Sequence, residues 1–138
     1  MDELKNAGYR EIEHTADWEL EVWAPDLAGL LVQAAKGMYA LSKAELADGP
    51  RTWREFAVPY PDAETLLVDF LSELLFFGEM EDLGFDTFQI ELDGEMCQCK
   101  AGGSHLAAQD KEIKAVTFHQ MAVVQDEDGL RVHIVFDV

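Results

Sequence analysis

The sequence predicts an α+β fold in which two helices pack on one face of a mainly antiparallel β-sheet, a single two-layer domain over residues 1–138. The order of hydrophobic periodicities carries this prediction: two strand-like runs, a helix, a strand, a second helix, then four or five strand-like runs. Asp93-Gly94 and Asp128-Gly129 are hairpin signals that make late neighbouring strands antiparallel. The 138 residues are an ordinary domain length, and 49% hydrophobic residues supply a core, which excludes global disorder.

Taken in order, Tyr9 to Glu13 reads as a short strand. Trp18-Glu19-Leu20-Glu21-Val22-Trp23 alternates apolar and acidic residues, the period of a half-buried strand. Pro25-Asp26 opens a helix with Asp26 as its N-cap. Leu27, Leu30, Leu31, Ala34, Ala35, Met38 and Leu41 then recur on one helical face, so the helix runs to Leu41 or Ser42. Residues 43–50 read as a loop. Thr52 to Val58 reads as a strand closed by Pro59 and Pro61, with Trp53, Phe56 and Val58 as its apolar members. Asp62 caps a second helix, Ala63 to about Phe77, whose wide apolar arc makes it the more buried one; Gly78 is its expected terminator. Phe85–Leu92 and Glu95–Ala101 flank the Asp93-Gly94 turn. Gly102-Gly103-Ser104-His105 reads as a flexible loop. Ile113–His119 and Gln120–Gln125 form an apolar, β-rich stretch, and Leu130–Val138 is the last strand. There is no internal repeat, low-complexity tract or linker.

The net charge of −18 and the scatter of only ten lysines and arginines argue against stable direct binding of nucleic acid. Such a charge has two readings: solubility, or attraction of a basic macromolecule or of cations. No apolar run reaches the roughly 20 residues that span a bilayer. Met1-Asp2-Glu3-Leu4-Lys5-Asn6 lacks the basic and apolar regions of a secretory signal. A soluble, cytoplasmic protein is the expectation. Cys97 and Cys99, at i and i+2 in a strand-like run, face one side of the sheet and read as buried thiols. Gly-rich phosphate loops, a Gly-x-Ser-x-Gly elbow and His-Glu-x-x-His spacing are absent.

Three places carry candidate chemistry. His14-Thr15-Ala16-Asp17 lies between two strand-like runs; Asp17 reads either as a turn residue or, with His14, as part of a ligand site at a strand end. Lys114-Ala115-Val116-Thr117-Phe118-His119 puts Thr117 and His119 on one strand face; His119 reads as a structural histidine or as an orienter of a carboxylate. In the last strand, Leu130, Val132, Ile134 and Phe136 take the core face, while Arg131, His133, Val135 and Asp137 take the other. Asp137 stands beside Val138 and its terminal carboxylate. If the sheet brings these ends together, the gathered carboxylates repel one another unless a cation is present. Such oxygen donors suit a hard divalent cation: Ca²⁺, Mg²⁺ or Mn²⁺.

The sequence resembles the archease family. The resemblance rests on the ordered set of His14-Thr15-Ala16-Asp17, the helix from Asp26-Leu27 to Gly37-Met38-Tyr39, Leu66-Leu67-Val68-Asp69-Phe70-Leu71-Ser72-Glu73-Leu74-Leu75, Lys114–His119 and Phe136-Asp137-Val138. These span nearly the whole chain. The resemblance implies an accessory protein, not itself a catalyst, that activates the GTP-dependent RtcB-type RNA ligase of tRNA splicing and RNA repair. It implies faster guanylylation of the ligase, multiple turnover and a broader choice of nucleotide. It assigns Asp17, Asp137 and the backbone oxygens of Val138 as metal ligands, and His14 and His119 as support. Phe118 departs from the family, which often has tyrosine there. Two other readings compete: a stand-alone metal-dependent hydrolase, and a general chaperone or interaction module.

Overall fold

The computed structural model describes residues 6–12 and 18–138. His14 and Asp17 lie outside the described residues. The elements follow as β1 (Gly8–Ile12), β2 (Trp18–Ala24), α1 (Leu27–Leu41), β3 (Glu45–Leu46), β4 (Thr52–Pro59), α2 (Ala63–Glu81), β5 (Leu83–Asp93), β6 (Met96–Ala108), β7 (Ala115–Thr117), β8 (Val124–Asp126) and β9 (Gly129–Asp137). The α+β class and the antiparallel pairing are as predicted, with the strands divided between two sheets. The first has the order β1-β2-β9-β7, with β8 also on β9; the second is centred on β6, which pairs with β3, β4 and β5. Helix α1 packs on β1 and β2 of the first sheet and meets α2, which packs on β4 and β5 of the second and reaches β7. One core joins them: Leu20, Val22, Ile134 and Phe136 from the first sheet, Val58, Phe85, Cys97 and Cys99 from the second.

Helix α1 forms as its periodicity predicts. The N–H of Gly29 donates to Asp26 Oδ1 at 2.7 Å, satisfying a donor that the first turn leaves free. Every residue of the predicted apolar face is buried. Helix α2 is longer than predicted, because Gly78 lies inside it and Asp82, in the left-handed region at φ 54°, ends it. The extra turn is held by Phe77, whose ring packs 5.6 Å from that of Phe85, and by Glu81, which pairs with Arg54 of β4. No helix among the described residues is long and apolar enough to cross a membrane.

The segment Gly102-Gly103-Ser104-His105 is not a loop but the interior of β6, opposite a bulge in β5 between Phe85 and Thr87. Its glycines mark close approach rather than flexibility. A Cβ on Gly103 would stand 1.7 Å from the carbonyl oxygen of Gly84. The exposed Trp53 ring covers Gly102 on the outer face. Strand β7 is also shorter than the predicted Ile113–His119. Past Thr117 the N–H of His119 turns back to Thr117 Oγ1 at 3.2 Å, and Gln120 takes φ 53°. The strand alternation therefore stops before Phe118, which is left 55% exposed.

Strand β9 follows the predicted alternation at Val132, Ile134 and Phe136, each at 1% exposure or less, but Val135, assigned to the outer face, is buried as well, where β7 pairs with it through Thr117. It leaves the β8 turn through Gly129, at φ 131°, where a Cβ would meet the Ala24 carbonyl at 2.4 Å. Its outer face carries an ion-pair network. Glu21 of β2 accepts from Arg10 of β1 and from Arg131 at 3.3 Å, and His133 Nε2 lies 3.5 Å away. Partial burial pushes the Glu21 carboxyl up, but Arg10, Arg131 and His133 outweigh it and hold the group below its ordinary 4.5.

Gly103→Ala is expected to cost about 3 kcal/mol or more, the upper part of the range for overpacking, because the added methyl meets backbone and not a movable side chain; urea denaturation measures it. The depressed Glu21 value contributes stability that is complete above about pH 4.5 and is lost as the pH falls through the folded-state value. Stability of Glu21→Gln, followed across acid pH, is therefore expected to fall less steeply than that of the parent.

Candidate metal centre at the end of the first sheet

β2 and β9 run antiparallel with Trp18 opposite Phe136 and Glu19 opposite Val135. The chain enters β2 at Trp18 directly from the His14-Thr15-Ala16-Asp17 motif. The first sheet thus brings Trp18, the residue after the motif, opposite Phe136, the residue before Asp137. The side chains of His14 and Asp17 are outside the described residues.

The other edge of β9 is closed by β7. Ala115 stands opposite Asp137, and the N–H of Lys114 donates to the Asp137 carbonyl at 2.8 Å. Beneath them Phe136 is fully buried, and Val138 packs against the core while remaining half-buried. Asp137 itself is exposed. Alternation about a buried Phe136 turns it outward, on the face of Arg131 and His133. Arg131 and His133 both lie against Glu21, and Asp137 has no ion-pair partner among the described residues.

His119 sits differently from Lys114. β7 starts opposite Asp137 and runs to Thr117 opposite Val135, so His119 follows after the strand has moved away from Asp137. The backbone neighbours of Asp137 on this edge are Lys114 and Ala115. Sequence reading missed that contact, because Lys114 reads as one more solvated lysine. The available signal was Val116 alone, the residue whose burial sets the strand's facing.

The donors described are the Asp137 carboxylate and the backbone oxygen of Val138. Both are hard oxygens and fit Ca²⁺, Mg²⁺ or Mn²⁺ in kind. Among the described residues no three His, Cys, Asp or Glu side chains gather to hold a metal. A shell of about six ligands built on these two donors therefore needs others. The cysteines supply none: Cys97 and Cys99 are buried in the second sheet with sulfurs 3.6 Å apart, and burial pushes both thiols up.

Comparison with known proteins agrees with this architecture. The archease protein family matches residues 9–138. The archease of Methanosarcina acetivorans is 32% identical over 139 residues, covering 94% of this chain and 95% of that protein. That of Methanopyrus kandleri is 36% identical over 129 residues, covering 88% and 91%. A crystal structure from Thermotoga maritima, of an archease described as a possible chaperone, superposes with a TM-score of 0.70. The match covers 94% of this chain and 96% of that one, at 22% identity, a likeness of fold alone. A Methanobacterium thermoautotrophicum protein known in solution gives 0.69 at 23% identity, covering 95% and 99%. With the family matched from β1 to the last residue and relatives above 30% identity along nearly their whole length, this chain belongs to the archease family.

Proposed function

We propose that this chain is a divalent-cation-binding accessory protein of an RtcB-type RNA ligase, acting in the cytoplasm to speed ligase guanylylation and support repeated turnover without catalysing ligation itself. The observation that supports the reading is the pairing of Trp18, the residue that follows Asp17 in the sequence, with Phe136, the residue before Asp137. Membership of the archease family supports it. Asp17, Asp137 and the backbone oxygen of Val138 would hold the cation, with His14 and His119 in support. A divalent cation held there would supply local positive charge to an otherwise acidic surface, of the kind that attracts phosphate oxygens. The protein's own part is to hold the Asp137 carboxylate at a strand end anchored by the fully buried Phe136 before it.

A second reading, a chaperone for other proteins, is favoured by one observation: Phe76, Met80, Phe118 and Val124 are each more than half exposed. A general chaperone suppresses aggregation of unrelated proteins whether or not Asp137 is intact.

Guanylylation of a cognate ligase with GTP and Mn²⁺ tests the first reading. The parent chain is expected to accelerate it, and Asp17→Ala and Asp137→Ala to remove the acceleration. Lack of any effect of the parent overturns the reading. Asp137→Ala is expected to keep its stability within about 0.5 kcal/mol, as exposed positions usually do. Added Ca²⁺ or Mn²⁺ is expected to raise the melting temperature of the parent but not of this variant, since only a ligand that binds the folded state stabilises it.

A further inference from the structure

We propose that the cleft between α1, α2 and the β6–β7 connection is a docking site for the partner protein. Its occupant is an apolar side chain of a partner segment flanked by lysine or arginine. This rests on the accessory-protein reading and adds where and by what chemistry the partner is held.

The cleft has a volume of about 450 Å³, within the range of sites that enclose a ligand-sized group. Met38 and Tyr39 of α1, Leu75 and Phe76 of α2, and Ile113 of the connection line it. Phe76 is 51% exposed at the cleft, and Met80, four residues further along α2, is 64% exposed. Residues at that spacing share one helix face, so the apolar surface continues out of the cleft. Isolated exposed apolar side chains need no explanation, but a pair leading into an apolar cleft does.

Charge selects the occupant. Glu79 and Glu112 line the cleft, both exposed and neither paired with a cation among the described residues; against the one lining lysine, Lys114, they leave the lining net negative. The chain carries −18 in all, so a second copy brings like charge against like. A segment with lysine or arginine beside its apolar anchor meets complementary charge, which speeds encounter and excludes acidic competitors.

Position links the cleft to the candidate metal centre. Lys114 and Ala115 line the cleft and are also the residues paired with Asp137, through the N–H of Lys114 and the register of Ala115. A partner seated there touches the strand beside β9 from the helix side of the sheet, and the Asp137 side chain leaves the same strand end on the other side.

Binding of the intact chain to its cognate ligase, measured by surface immobilisation at several salt concentrations, tests this. Ser72→Trp fills the cleft from an exposed position, and Phe76→Ser removes the apolar mouth. Each is expected to weaken binding by about tenfold or more, the size typical of an anchor residue. Glu79→Lys with Glu112→Lys is expected to slow association and flatten its salt dependence. Asp137→Ala is expected to bind like the parent while failing to activate. Leu92→Ser, nine residues along β5 from the cleft residue Leu83, is the control and is expected to change nothing. If Ser72→Trp does not fold, Phe76→Ser and the double charge change decide alone. Cleft variants that bind like a binding parent overturn the docking site and leave the accessory reading standing. A parent that neither binds nor activates the ligase overturns both. A parent that sediments as a dimer, made monomeric by Ser72→Trp, assigns the cleft to a second copy and overturns the proposal.

Discussion

β9 is paired along both edges and buried along its inner face, and the placement of the candidate metal centre follows from those two facts. β2 holds one edge from Trp18 to Ala24; β7 and β8 hold the two ends of the other. Ile134 and Phe136 have no exposure at all, and burying each contributes about 1.5–3 kcal/mol. Slipping the register by one residue would turn Phe136 to water and Asp137 into the core. The outward aim of Asp137 is therefore fixed by the core. A carboxylate that would otherwise sit on a fraying strand end is instead held by the most buried aromatic of the sheet.

The distribution of the few cations is the electrostatic counterpart. Arg10, Arg131 and His133 converge on Glu21, and Arg131 also lies over the Trp23 ring at 5.7 Å. Arg51 is spent on Asp86 and Arg54 on Glu81 in the second sheet. A protein of charge −18 thus uses its arginines where strands and helix ends must be held. The Asp137 end of the first sheet receives no such neutralisation among the described residues. Local negative potential is what a divalent cation or a basic partner requires, and here it comes from where the arginines are committed as much as from the acids themselves.

Helix α1 was legible residue by residue, because its seven apolar positions recur at one period and its cap is a single aspartate in extended backbone. β9 was legible from its alternation except at Val135, which is apolar on the outer face and is buried there. The division into two sheets was not, because pairing partners depend on long-range register that no local period encodes. Gly102-Gly103 reads as a breaker in a list of residues, yet its lack of side chains is what lets β6 pass the β5 bulge and lie under Trp53. Gly78 likewise reads as a stop and is overridden by tertiary contacts of Phe77 and Glu81. At the candidate site, the outward face of Asp137 was in the sequence. Its backbone tie to Lys114 was not, since a main-chain hydrogen bond leaves no mark on side-chain identity.

The connection from β6 to β7 ties the cleft wall to the last strand through the main chain. Its start is fixed to α1, where the N–H of Asp110 donates to the Ser42 carbonyl at 2.7 Å. Its end is fixed to β9 through Lys114 and Asp137. Between them Ile113 is buried, a third anchor along the segment. Ser42 is itself the C-cap of α1 and is buried, which carries the anchor into the core. The cleft wall and the end of β9 therefore share a main-chain hydrogen bond, from the N–H of Lys114 to the Asp137 carbonyl.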